Sequence, residues 1–181
     1  MPASKLTRVL LVDGYNVIRS SDYYRNLSPD DFSGGPGYNA ARAKLIADVA
    51  AFAQGSYEPT VVFDGGGNPE SRGDPRQVGG VTVIYSQAGT EADQVIEKLA
   101  HRALAKDLEV LVVTSDEATQ WTVLHDKVTR MSSAAFVAEI EIVNRSWQER
   151  NPSPKVKSTL GERIDAQTLT KLMDWARNGR P

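Results

Sequence analysis

The residues of this chain that can do chemistry are its acids. Asp13, Asp64, Asp93 and Asp116 each lie at the end of an apolar run or at the start of the helix after one. Their contexts are Leu10-Leu11-Val12-Asp13-Gly14-Tyr15-Asn16, Val61-Val62-Phe63-Asp64, Gly89-Thr90-Glu91-Ala92-Asp93 and Val112-Val113-Thr114-Ser115-Asp116. In an open α/β sheet the carboxyl ends of parallel strands share one edge, and ligands bind there. Acids distant in sequence therefore converge. Carboxylates gathered with little basic charge repel one another unless a cation lies among them, and oxygen donors suit hard divalent ions such as Mg²⁺ or Mn²⁺. Such an ion activates water and offsets charge on a phosphate during in-line attack. The pattern implies metal-assisted phosphodiester hydrolysis with no protein nucleophile.

Each acid also has a plainer reading. Asp13-Gly14 is a common turn pair. Thr90 with Asp93 matches a capping box, and acids in a first helical turn are favoured by the helix dipole. Thr114 and Glu117 form a second such pair, which leaves Asp116 unexplained by capping. Asp64 opens the glycine run Gly65-Gly66-Gly67. The joint register of the acids at successive strand ends favours a site. In it Asp13, Asp93 and Asp116 are the catalytic and metal-binding candidates, and Asp64 and Glu91 are further metal ligands. Asn16 and Ser115 adjoin these acids and are candidates to support them. His101 and His125 are too far from the motifs to act as a pair. No P-loop and no Gly-x-Gly-x-x-Gly follows the first strand, so no nucleotide cofactor is expected.

The elements that must position these residues alternate. Residues 8–13, 60–63, 81–85, 109–113 and 127–130 read as strands, mostly apolar as in a sheet covered on both faces. Residues 39–54, 91–106, 117–125, 133–150 and 165–178 read as helices. The stretches 20–37 and 68–80 read as loops, the second of them mobile, from their glycines and prolines. Strands alternating with helices give an α/β fold with a mainly parallel sheet of about five strands. A break at Asn151-Pro152-Ser153-Pro154 divides a domain over 1–150 from an extension over 151–181 with a terminal helix.

Composition sets outer limits. The chain has 181 residues, 40% of them apolar and 24% charged, enough for one domain with a substantial core. It has no cysteine, which excludes disulfides and thiolate chemistry and fits a reducing cytoplasm. The N-terminus reaches an acid too soon for a signal peptide or membrane span, so no membrane partner is expected. Net charge is −2, with an acidic excess in the first 120 residues and a basic one in the remainder. Arg72, Arg76, Lys127 and Arg130 are candidates for phosphate contacts, as are Arg145, Lys155 and Lys157. Tyr15, Tyr23, Tyr24 and Trp121 are candidates for stacking on unpaired bases.

The four motifs, with Gly89-Thr90-Glu91-Ala92-Asp93-Gln94-Val95-Ile96-Glu97 as the longest, resemble the YacP type of NYN domain within the PIN-like nucleases. The resemblance covers roughly residues 7–150. It implies a PIN-like three-layer α/β/α sandwich and a metal-dependent endoribonuclease using Mg²⁺ or Mn²⁺ at Asp13, Asp93 and Asp116. It further implies RNA, messenger RNA in particular, as partner and an association with ribosomes. Thr119 stands before Gln120, where the family often has an acid. A non-catalytic RNA- or ribosome-binding module on the same fold is the alternative.

Overall fold

The computed structural model describes residues 8–27, 37–65, 72–114 and 126–150. The chain divides into two compact units, residues 1–145 and 146–181. The fold is that of the first; of the second, only residues 146–150 are described.

Apolar runs rich in Val, Leu and Ile form the strands. These are β1 (Arg8–Asp13), β2 (Glu58–Phe63), β3 (Arg76–Val78), β4 (Val81–Tyr85), β5 (Glu109–Thr114) and β6 (Val128–Ser132). Five helices connect or flank them: α1 (Gly14–Ser20), α2 (Asp22–Arg25), α3 (Gly37–Ala53), α4 (Ala92–Leu104) and α5 (Ser133–Arg150). The strands form one sheet in the order β3-β4-β2-β1-β5-β6. All neighbouring pairs are parallel except β3 with β4.

Side chains alternate across the sheet, so each strand feeds two cores. Leu10, Val12, Val61, Phe63, Val83 and Val113 face a core completed by α1, α2, α3 and α5. Leu11, Val62, Ile84, Val110 and Val112 face Ala92, Ile96, Ala100 and Ala103 of α4. This is the expected α/β/α sandwich.

The sheet has six strands where about five are expected. The addition, β3, lies in the stretch read as a mobile loop. It is three exposed residues with no apolar alternation, hence its weak signal. It pairs with β4 through the two-residue turn Gly79-Gly80, whose φ values of 57° and 86° are the positive pair a tight hairpin requires. The loop expected from residue 20 also contains structure. Ser21 caps α2 by accepting from the Tyr23 N–H at 3.1 Å, and Tyr24 is fully buried. The helices expected over 117–125 and 165–178 lie outside the described residues.

Chain order dictates where a ligand fits. The chain leaves β1 through α1–α3 for β2 on one side, then crosses by α4 from β4 to β5 on the other side of β1. The connections diverge between β1 and β5, and the crevice beyond their carboxyl ends is the expected binding position.

Candidate active site at the carboxyl edge of the sheet

Asp13 ends β1 beside that crevice. It is 6% exposed and serves as N-cap of α1. Its Oδ1 accepts from the Asn16 backbone N–H and its Oδ2 from the Asn16 side-chain amide, both at 2.9 Å. Asn16 thus fixes the orientation of the carboxylate. Each carboxylate oxygen retains a further acceptor position. Gly14 follows for packing rather than for a turn: a Cβ there would lie 2.3 Å from the Phe63 ring.

Asp93 lies in the first turn of α4. The capping box expected of Thr90 is not formed; Glu91 is the N-cap, and its side chain makes no cap hydrogen bond. Asp93 is therefore not explained as a cap. Its Oδ1 is buried with no hydrogen-bond partner. Thr114 Oγ1, at the end of β5, and Ser133 Oγ, opening α5 after β6, are buried and unpartnered in the same way. Thr114 pairs in register with Ser132, and Val113 with Val12, so these hydroxyls line the same edge as Asp13. A buried polar atom left unpaired costs about 1–3 kcal/mol. Three at one edge mark a place suited to a polar ligand.

The electrostatics agree. The Asp13 carboxyl is pushed up to about 6, chiefly by burial, opposed by the Asn16 N–H and by Arg19, and raised further by the charges of Asp93 and Asp64. Burial, then Glu91, raises the Asp93 carboxyl. Asp64 and Glu91 are both exposed at this edge. Ser86 steadies the turn bearing Asp64: its Oγ accepts from the Gly65 N–H at 2.9 Å, and its N–H donates to the Phe63 carbonyl.

The donors in place are oxygens, the preferred ligands of Mg²⁺ and Mn²⁺. Asp13 and Asp93 fit a cation, since one is costly to ionise and the other has an oxygen with nothing to bind. Among the described residues, no group of three acids or histidines is close enough to hold an ion. Asp116 and Ser115 lie outside them.

The phosphate-contact candidates do not gather. Arg72 is exposed in the segment before β3, which runs past Gln87 at the carboxyl edge, and Arg76 is exposed on β3 itself. Lys127 precedes β6 at the opposite edge and pairs with Asp107 at 2.5 Å. Arg130 is exposed within β6 and Arg145 within α5. Tyr15 is half-buried beside Asp13 and packs on Phe63. Tyr24 cannot stack on a base: it is fully buried and donates to Asp48 at 2.9 Å. Burial and the Asp48 carboxylate push its phenol well above the usual range. Lys155, Lys157 and Trp121 lie outside the described residues.

Thr114, Ser133, Ser86 and Arg42 were not singled out from sequence. Thr114 had a signal in its place before Ser115-Asp116, where only a cap was considered. Arg42 has none, since it lies in a helix remote in sequence from every acid motif.

The sequence matches the YacP-like NYN domain over residues 10–177. A Bacillus subtilis (strain 168) protein named YacP, described as uncharacterized, is 29% identical over 180 residues, covering 93% of this chain and 96% of that one. The crystal structure of Rae1 (YacP) from Bacillus subtilis is similar with a TM-score of 0.62 and 26% identity, over 94% of this chain and 95% of that one. A tryptophan-to-leucine variant of the same protein gives a TM-score of 0.61 and 28% identity, over 86% and 89% of the two chains.

Proposed function

Since the chain belongs to the YacP-like NYN family of PIN-like ribonucleases, we propose that it cuts RNA internally by metal-assisted hydrolysis at the carboxyl edge of its sheet. RNA hydrolysis is the activity the family assignment supports. The observation that carries the site is the pairing of a costly Asp13 carboxylate with an unpartnered Asp93 oxygen beside the topological switch point.

Asp13 and Asp93 are the residues that would hold Mg²⁺ or Mn²⁺, with Asp64 and Glu91 beside them and Asp116 as a further ligand. When bound, the ion supplies an activated water and offsets charge on the scissile phosphate. Asn16 holds the Asp13 carboxylate in one orientation through both of its oxygens. Ser86 anchors the strand-end turn and so sets where Asp64 stands. Thr114 and Ser133 offer hydroxyls to water or substrate at the crevice. Ser115 would support Asp116. Tyr15, beside Asp13, is placed to meet a nucleotide, and Arg72 stands near the same edge.

Among the described residues, no helix is long and apolar enough to cross a membrane. A nuclease domain over 1–150, an extension over 151–181, and messenger RNA on the ribosome as substrate belong to the same proposal.

The test is cleavage of an end-labelled single-stranded RNA, free and on translating ribosomes, by wild type and Asp93→Asn, with Mn²⁺ and with EDTA. Internal cuts in one of the two settings, lost in the variant and in the chelator, are expected. Intact RNA in both settings would favour a binding module. Cutting that survives EDTA would remove the metal.

A further inference from the structure

Resting on that reading, we propose that Arg42 and Arg19, with Tyr15 and Tyr85, form the subsite that seats the single-stranded RNA beside the acids. Three rings run along the carboxyl ends of β1, β2 and β4. Tyr15 lies 5.2 Å from Phe63, and Phe63 stacks on Tyr85 at 5.4 Å with 24° between the planes. With adjacent strands about 4.8 Å apart, the row reaches about 10 Å outward from Asp13. Phe63 is fully buried, while Tyr15 and Tyr85 keep part of their surface in solvent.

Two arginines lie over this row. The Arg42 guanidinium stands 5.8 Å from the Tyr85 ring centre, donates from Nη1 to the Tyr15 hydroxyl at 3.1 Å and from Nη2 to Asn39 Oδ1 at 2.6 Å. Arg19 stands 5.6 Å from the Tyr15 ring centre, and its charge is felt at Asp13.

A purely structural role would be a clasp of α3 onto α1. Arg42 does act as one, but the clasp gives its charge no carboxylate partner among the described residues. Arg8, Arg25, Lys44 and Lys127 each pair with a carboxylate; Arg19 and Arg42, like exposed cations such as Arg102, have no carboxylate partner among the described residues. They lack one although acids crowd this edge. A guanidinium has five N–H donors, and two bonds leave Arg42 three more in a planar fork that matches phosphate oxygens. Its plane and the solvent-exposed parts of Tyr15 and Tyr85 also suit stacking with unpaired bases. A duplex cannot offer its bases to such a row, so the geometry selects a single strand. Positive charge here also offsets phosphate repulsion from the neighbouring acids.

The test measures binding of a fluorescent ten-nucleotide RNA to Asp93→Asn protein, carrying Arg42→Ala, Arg42→Lys, Arg19→Ala or Arg102→Ala. Arg102 is exposed in the last turn of α4, at the opposite edge, and serves as control. Arg42→Ala is expected to weaken binding about tenfold. Removing one phosphate contact lowers the slope of log affinity against log salt by about 0.7. Arg42→Lys should restore the slope and not the affinity, and Arg102→Ala should change neither. Arg19→Ala is expected to act in the same direction as Arg42→Ala. It guards against misfolding, because its exposed side chain makes no hydrogen bond among the described residues. Equal affinity with and without both arginines, including no binding by any protein, would overturn the subsite. Cleavage by otherwise wild-type protein is read separately. An Arg42 effect on binding without any cutting would tell against catalysis alone.

Discussion

Asp13→Asn is expected to stabilise the metal-free protein at neutral pH while abolishing its activity. The folded Asp13 carboxyl lies at about 6, against 3.8 for the free side chain. The folded state therefore holds the proton more tightly than the unfolded chain does. Its contribution to stability is complete below pH 3.8 and is lost as pH rises through 6. At 1.36 kcal/mol for each pH unit, ionisation at neutral pH costs the fold about 3 kcal/mol. Solvent screening gives little discount, because the residue is 6% exposed. Asparagine cannot ionise, and it caps helices as well as aspartate does. The Asn16 amide must turn to present its oxygen to the new side chain, which returns on the order of 1 kcal/mol. A net gain of about 2 kcal/mol remains, or roughly 4–8 °C in Tm for a chain of this size.

The assay is thermal and urea denaturation of both proteins in EDTA at pH 7.5 and pH 4. The variant should be the more stable at pH 7.5, and the difference should shrink at pH 4. Saturating Mn²⁺ should reverse the order, since a ligand at a hundred times its Kd adds about 2.7 kcal/mol to the wild type alone. A variant less stable at pH 7.5, or an advantage unchanged at pH 4, would refute the idea that Asp13 carries an ionisation cost.

Gly14→Ala is expected to cost about 1–3 kcal/mol, because its Cβ would lie 2.3 Å from a Phe63 ring held between Tyr15 and Tyr85. Urea denaturation reads the loss, and unchanged stability would mean that the ring row yields freely. Asp48→Ala should cost about 3 kcal/mol or more by the same measurement. Asp48 is 3% exposed and accepts from Tyr24, Asn144 and Lys44, so its removal strands three donors. A loss below about 1 kcal/mol would show that the three donors find other partners.

The fold was legible where local pattern and tertiary demand coincide. Leu10-Leu11-Val12 and Val61-Val62-Phe63 are apolar without interruption because both faces of the sheet are covered, and such runs ending in Asp can be read directly. Asp13 and Asp64 follow such runs and could be placed at strand ends directly, whereas Asp93 lies in the first turn of α4. β3 was not, because its three exposed residues owe their place to pairing and to the Gly79-Gly80 turn. Tyr24 was misread because a lone aromatic in a polar stretch carries no sign of its partner, and Asp48 is 24 residues away. Arg42 was invisible for a related reason: its meaning lies in Tyr15 and Tyr85, which only the fold brings beneath it.

Departures from ordinary protein construction are concentrated at one edge of this molecule. An N-cap glutamate, Glu91, caps nothing; Asp13 is buried where ionisation is costly; Asp93, Thr114 and Ser133 each bury an unpaired oxygen. Elsewhere among the described residues buried polar side chains are satisfied, as the three bonds to Asp48 illustrate. A sequence keeps such local conflicts where something other than stability requires them. A divalent cation relieves the acid conflicts together: it offsets the Asp13 and Asp93 charges and gives Asp93 Oδ1 a partner. A hydrophobic ligand would relieve none of them, and a neutral polar one could give Asp93 Oδ1 a donor but would leave the charges unopposed. Arg19 and Arg42 make the complementary case: among the described residues neither forms an ion pair with a carboxylate, although the charge of Arg19 is felt at Asp13. Direct pairing would neutralise both sets and leave nothing for a ligand. Asp13 and Asp93 remain available for metal, and the arginines for the phosphates of the strand that the metal acts upon.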